Sequence, residues 1–483
     1  MQVDEKVLAR TVARFKERKI LLPTFAQMRD PSSVPQKIRD RLKKVGLWDI
    51  DPVNLFRITW RNEPVDRGGL YNQGNWIEFP PELTGVDTRI IGLLGKFFPT
   101  GAHKVGAAYG CLVPRLVTGQ FDPTQHKAVW PSTGNYCRGG AFDSALVGCT
   151  AVAILPEEMS RERFAWLKDI GAEVIATPGC ESNVKEIYDK CWEIKRTRPD
   201  CVIFNQFEEF GNAAWHYNVT GKTIAEVFNR VGAGSRLSGY VSATGSAGTI
   251  AAGDYLRTIS PGIRVVATEA LQCPTLYQLG FGGHRIEGIG DKHVPWIHNV
   301  RNTDMIAAID DEQCMALLRL FNDPNGQTLL NHRCSDQLIN QLTLVGISGI
   351  CNLVAAIKTA KYYDMDGRDV IFTCLTDSAG MYGSRLEELA ADHGAYTAER
   401  AAYDQARYLD GIVTDHLREL TYFDRKALHN FKYFTWVEQQ GRTADELREL
   451  WNPDYWTEQF AQADKWDKQI EAFNERTGVL NLL

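Results

Sequence analysis

Between residues 127 and 268 the chain repeats one pattern: a short run of apolar and β-branched residues, then a longer stretch with helical periodicity. The runs are Lys127–Pro131 (KAVWP), 150–155 (TAVAIL), Glu173–Thr177 (EVIAT), 201–205 (CVIFN), 239–243 (GYVSA) and 264–268 (RVVAT). Stretches such as 161–170 and 212–230 separate them and are long enough for amphipathic helices. Strands joined through helices pair in parallel, because the crossover returns the chain to run in the same direction. The pattern predicts an α/β fold, with parallel sheets covered by helices on both faces and right-handed crossovers.

Two further units bracket this core. Residues before about 95 contain a charged, helix-like N-terminus, a basic helix-like stretch at 37–44 and an irregular segment with Pro and Gly. After about 386 the pattern reads as helices only, rich in aromatic residues from Tyr403 to Trp466. Such a tail is expected to dock on its own core or on a partner subunit. The sequence shows no internal repeat and no low-complexity tract.

The composition narrows the function classes. With 483 residues, 44% of them hydrophobic and 24% charged, the chain can bury a large core. A net charge of −6 gives no reason to expect a nucleic-acid partner. No run of roughly 20 apolar residues marks a membrane span. Asp4, Glu5 and Glu17 argue against a transit peptide at the N-terminus. The 11 cysteines lack CxxC pairs and metal-ligand spacing, so reduced thiols in a cytoplasm and no metal site are expected.

Four loops, each leading into a helix, hold the residues suited to chemistry. The first ends at Lys104 (PTGAHK). A lysine in the first turn of a helix sits where the dipole favours anions, so its charge must be compensated or used. A Schiff-base lysine beside an anionic cofactor phosphate fits that requirement. Taken alone, the motif reads equally well as a surface lysine after a glycine turn. The second loop, Ser132, Thr133, Gly134, Asn135 and Tyr136, has what a helix cap needs and also what a carboxylate needs. The third, Gly245, Ser246, Ala247, Gly248 and Thr249, follows a predicted strand with small residues that let backbone N–H groups surround a phosphate. The fourth contains Ser348 (GISG), by itself an ordinary N-cap.

In order and spacing these loops resemble the fold-type II pyridoxal-5′-phosphate (PLP) enzymes, among them cystathionine β-synthase and the tryptophan synthase β subunit, and above all the cysteine synthase group. The stretches NQFEEFGNAAWHY (205–217), HRIEGIG (284–290) and TCLTDSAGMYGS (373–384) are similar to later elements of that group. The likeness spans roughly residues 96–385. It implies a large PLP-binding domain from 96–127 and 235–385, and a small mobile domain at 128–234. Residues 1–95 are then an N-terminal extension leading into the large domain, and 386–483 a helical C-terminal extension.

The resemblance also implies roles. Lys104 would form the internal aldimine and then act as the proton-transfer base. Asn135 would bond the cofactor's 3′-oxygen, Gly245 to Thr249 would hold its phosphate, and Ser348 would meet its pyridine nitrogen. Ser132, Thr133, Gly134 and Tyr136 would form the substrate loop, the first three gripping the α-carboxylate. A neutral serine hydroxyl does not hold the ring nitrogen protonated, so the ring is a weaker electron sink and loss of a β-substituent is favoured. The implied reaction is β-elimination or β-replacement through an aminoacrylate, on an amino acid such as O-acetylserine, O-phosphoserine, serine or cysteine. The alternatives are a deaminating lyase that releases a 2-keto acid and ammonia, and, in another class, an inactive PLP-fold scaffold. A homodimer is the family's usual state.

Several positions depart from the family pattern. Ala247 replaces a cup glycine, and Tyr136, Cys137 and Arg138 replace small residues after the asparagine. Asp291, Lys292 and His293 follow the HRIEGIG loop, and an insertion of about twenty residues, 323–343, precedes the GISG loop. His293 as a general acid and Arg138 as a selector for an acidic substrate group are further site candidates, weighed against a surface histidine and a helix-surface charge.

Overall fold

A computed structural model of the chain describes residues 3–63 and 70–483. Residues 64–69, part of the irregular N-terminal segment, lie outside the described residues, as do residues 1 and 2. The strands form two sheets. The smaller runs Glu173–Thr177, Ala151–Pro156, Lys127–Pro131, Cys201–Ile203 and is parallel throughout. The larger runs Trp76–Phe79, Arg89–Leu94, Asp369–Leu375, Arg236–Ala243, Arg264–Ala270, Met305–Ile309, Leu417–Glu419. Its five central strands are parallel and its two edge strands antiparallel.

All six strands expected from the sequence form. Two of them, Lys127–Pro131 and Glu173–Thr177, have the expected bounds. Ala151–Pro156 and Asp369–Leu375 are buried at every position, as strands covered on both faces must be. The helix expected over 212–230 is observed as Phe210–Trp215, a π-helical turn His216–Gly221, and Lys222–Val231. The insertion at 323–343 folds as two short helices, Pro324–Leu330 and Asp336–Leu342, each opened by a side-chain cap from Asp323 or Ser335.

The expectation of helices only after residue 386 needs correction. Leu417–Glu419 is a strand, paired antiparallel with Met305–Ile309. Its sequence, LRE, carries no β signal of its own, so the pairing comes from tertiary contact rather than propensity. The aromatic tail docks on the chain's own core. Trp436 packs on Trp296 with ring centroids 6.0 Å apart, and Phe473 meets Phe15 edge-on at 5.1 Å. The long helix Pro453–Thr477 packs on helix Phe210–Trp215 and on the N-terminal helix Glu5–Arg18.

The helix Lys104–Leu116 lies at the junction of the two sheets, packed on helices Asn135–Val147 and Phe210–Trp215. Gly110 and Gly211 face each other across the second contact. A Cβ on either would fall 2.4 or 2.2 Å from the other's carbonyl oxygen, so only glycine permits this approach. No single helix among the described residues is long and apolar enough to cross a membrane.

Candidate active site

Three of the four loops line one cleft between the sheets, and Ser348 of the fourth lies beside Gly288 on its wall. The cleft is lined by Lys104, by Ser132, Thr133, Asn135 and Tyr136, and by Gly245, Ser246, Gly288 and Gly290, with Gln206 and Phe207 completing the wall. Each sheet contributes loops from the carboxyl ends of its parallel strands, the usual place for a site in open α/β folds.

Lys104 opens its helix with no side-chain cap. Its Nζ donates to Ser246 Oγ at 3.0 Å and to Gln206 Oε1 at 3.2 Å, and no carboxylate among the described residues is within hydrogen-bonding distance of it. Burial lowers its pKa to about 8, partly opposed by Glu181 in its ionised form. The amine is therefore neutral in a sizeable fraction near pH 8 and available as a nucleophile or base.

The loop 245–249 follows strand Arg236–Ala243 and leads into helix Ala251–Ile259. Ala247 has φ +60, which turns the chain where a glycine is more usual. None of the five backbone N–H groups from Gly245 to Thr249 donates to an acceptor among the described residues. Buried N–H groups left unpaired cost about 1–3 kcal/mol each, and a bound anion removes that cost. Asn212 buttresses the loop by donating from Nδ2 to Ser246 Oγ at 3.0 Å and to the Gln206 carbonyl at 3.0 Å. Thr249 turns its hydroxyl to Ser242 Oγ at 2.7 Å.

At the opposite side Ser348 Oγ is buried without a partner, as is Asn135 Oδ1. Gly288, at φ +94, leaves space between them: a Cβ there would lie 3.9 Å from Asn135 Nδ2 and 4.0 Å from Ser348 Oγ. Asn135 Nδ2 donates to Asp377 Oδ2 at 2.6 Å, and the Tyr382 hydroxyl donates to the same oxygen at 2.7 Å. One N–H of the Asn135 amide thus fixes the side chain, and the other remains to donate.

In the substrate loop, Ser132 Oγ accepts from Gly134 N–H at 2.9 Å and keeps its own proton to donate. Gly134 has φ +147, and a Cβ there would lie 2.3 Å from Arg163 Nη1. Arg163 is held in that space by the Thr133 carbonyl at 2.9 Å and by Glu287 at 3.0 Å, and Glu287 is also paired with Arg385 at 2.6 Å. The loop is thereby tied to the 284–290 segment of the other unit. Tyr136 lines the cleft, but its hydroxyl is turned to the Phe204 carbonyl at 3.1 Å.

His293 and Arg138 do not line the cleft. His293 Nδ1 pairs with Asp291 Oδ1 at 2.9 Å and its ring lies against Tyr188. Arg138 is buried against the rings of Trp48 and Trp166, where burial lowers its pKa to about 10, and it is not a helix-surface charge either. Sequence reasoning missed Gln206, Gly288, Gly290 and Asp377 as individual residues, although each falls inside a stretch that resembles the family. Glu181, buried beside the substrate loop, gave no signal in its turn sequence PGCES.

The donor set suits pyridoxal phosphate. The cup offers unpaired N–H groups to a phosphate, Lys104 an amine to a carbonyl, and Ser348 a free hydroxyl to a ring nitrogen.

Comparison with known proteins agrees. A family model described as pyridoxal-phosphate dependent enzyme matches residues 85–329. The chain is 30% identical to a probable cysteine synthase of Bacillus subtilis over 285 residues, covering 59% of this chain and 84% of that protein. It is 25% identical to cystathionine beta-synthase of Saccharomyces cerevisiae over 312 residues, 62% of this chain and 58% of the yeast protein. An O-acetylserine dependent cystathionine beta-synthase from Helicobacter pylori aligns with a TM-score of 0.54 at 24% identity, over 64% of this chain and 94% of that one. A hydrogen sulfide-producing enzyme from Fusobacterium nucleatum gives 0.56 at 22%, over 64% and 95%. Those two structures show the shared fold. With the family model covering half of its length, the chain belongs to the pyridoxal-phosphate dependent enzymes.

Proposed function

We propose that this PLP-dependent enzyme eliminates or replaces the β-substituent of an amino acid, of the class that includes O-acetylserine, O-phosphoserine, serine and cysteine. The observation that carries the reading is a buried, pKa-lowered Lys104 amine lining the cleft, with an unpartnered neutral hydroxyl, Ser348, beside Gly288 on its wall. When bound, the cofactor supplies a carbonyl that condenses with amines and a conjugated ring that takes up electron density from the substrate's α-carbon.

The chain's own residues divide the remaining work. The N–H groups of Gly245 to Thr249 hold the phosphate, and Asn135 and Ser348 fix the ring at its oxygen and its nitrogen. Ser132, Thr133 and the first-turn N–H groups of helix Asn135–Val147 hold the α-carboxylate, with the helix dipole assisting. Lys104, once displaced by the substrate, takes the α-proton at Nζ. A serine in place of a carboxylate at the ring nitrogen favours departure of the β-substituent over a long-lived carbanion. Relatives named as cysteine synthase and cystathionine beta-synthase support the same chemistry. The 11 cysteines are all free, which supports a reducing, cytoplasmic setting, and a homodimer is proposed from the family.

The test is a stopped-flow absorbance screen of β-substituted amino acids on the holoenzyme, with assays for keto-acid release and for β-replacement by added thiols. Rapid spectral change with at least one such amino acid, followed by either product, is expected. If none perturbs the cofactor spectrum while β-unsubstituted amino acids do, the reading is wrong.

A further inference from the structure

Glu181 lies in the turn after strand Glu173–Thr177, and its side chain is 1% exposed. Both carboxyl oxygens are buried and lack a hydrogen-bond partner among the described residues. The Thr133 side chain and the Gly288 main chain lie close enough to favour its ionised form. Both of these residues line the cleft. The turn is fixed in place because Ser182 Oγ donates to the Gly282 carbonyl at 2.8 Å, and Asn183 Oδ1 accepts from Cys180 N–H at 3.0 Å.

A buried, unpaired carboxylate is costly, so such a group holds its proton instead. Burial raises the pKa of Glu181 to about 8, although Arg163, on the helix Arg161–Asp169, opposes the rise. The other charged groups that face it are Glu287, on the 284–290 loop, and Lys104. At neutral pH Glu181 is therefore a carboxylic acid whose proton meets no acceptor among the described residues. In that neutral form it does not repel an α-carboxylate held by the neighbouring Thr133.

We propose that Glu181 is the acid that protonates the departing β-substituent. The proposal rests on the elimination or replacement reading above and deepens it. As Lys104 takes the α-proton, the Cα–H electron pair becomes the Cα–Cβ π bond. The Cβ–heteroatom bond breaks with its pair on the heteroatom, which takes the Glu181 proton. Glu181 is left as a carboxylate and recovers a proton from the S–H or O–H of the incoming thiol or water. A site with such an acid suits leaving groups that depart poorly as anions, the hydroxyl of serine or the thiol of cysteine. Acetate, phosphate and chloride leave without one.

The experiment compares wild type, Glu181→Gln and Glu181→Asp holoenzymes on serine, cysteine, O-acetylserine and β-chloroalanine. Gln keeps the shape and a donor N–H but has no transferable proton. Turnover of the better of serine and cysteine should fall about 100-fold or more in Glu181→Gln, the usual size of a general-acid contribution. Turnover of β-chloroalanine should fall less than about fivefold, and Asp should restore part of the loss. An infrared titration of the protein without substrate should show a protonated-carboxyl band that wild type loses as pH rises through about 8 and that Glu181→Gln lacks at every pH. Equal losses on all four substrates, or a shared rise in KM without the split, would mean that Glu181 binds or supports the substrate loop, and would overturn the proposal. So would a wild type that turns over O-acetylserine but neither serine nor cysteine, or a missing carboxyl band. A wild type inert to β-chloroalanine as well refutes the elimination reading itself.

Discussion

At one end of the cleft, residues 245–249 present unpartnered main-chain N–H groups in a single contiguous loop. At the other, the loop 132–136 is positioned by side chains from separate segments: Arg163, Glu287, Asp377 and, against Thr133, Glu181. A backbone cup needs only small residues and a helix start, and so it accommodates the same phosphate whatever the substrate. The substrate end depends on buried charges whose protonation follows from their surroundings. A shared cofactor and a variable substrate therefore have distinct structural bases within one cleft.

Variants can break this comparison at either end. Lys104→Ala joins both ends and should have the largest effect, a loss of turnover of about a thousandfold or more with loss of the visible cofactor band. Gly248→Ala probes the cup alone: its Cβ would fall 2.0 Å from Asn212 Oδ1, the side chain that buttresses Ser246. Overpacking of this kind costs about 1–3 kcal/mol, so cofactor affinity measured by absorbance titration should weaken by about tenfold to a hundredfold. If the substrate end is independent, kcat at saturating cofactor should change much less.

The pH dependence sharpens the contrast. Because Lys104 is lowered to about 8, the rate at which apoprotein forms its adduct with pyridoxal phosphate should rise about tenfold from pH 7 to pH 9 and level off. For Glu181 the folded pKa, about 8, lies above the ordinary 4.5. The unfolded chain therefore releases this proton first, and the native state loses stability as pH rises from about 4.5 to about 8. Relative to wild type, Glu181→Gln should gain several degrees of melting temperature across that window and no more above it. The smallest effect is expected from His293→Asn, whose side chain pairs with Asp291 outside the cleft; turnover should stay within about twofold of wild type.

The same contrast explains what could be read from the sequence. The parallel-strand core was visible because AVAILP or KAVWP is apolar throughout and flanked by periodic helices. The cup and the Lys104 loop were visible because their residues are adjacent in the chain. Leu417–Glu419 was invisible because three residues, LRE, become a strand only beside Met305–Ile309. Arg138 and His293 drew attention by lying next to motifs, but the backbone directs one against two indoles and the other toward Asp291. Glu181 was silent for the opposite reason: an acid in a turn reads as solvated, whereas here the turn is docked on Gly282 and the side chain is buried.

The central claim is that Lys104 carries the cofactor. Borohydride reduction of the holoenzyme, followed by proteolysis and mass spectrometry, tests it most directly. The account predicts a pyridoxyl label on Lys104 and none in Lys104→Ala. A reducible adduct that persists in Lys104→Ala, or a label on another lysine of the wild type, would contradict it.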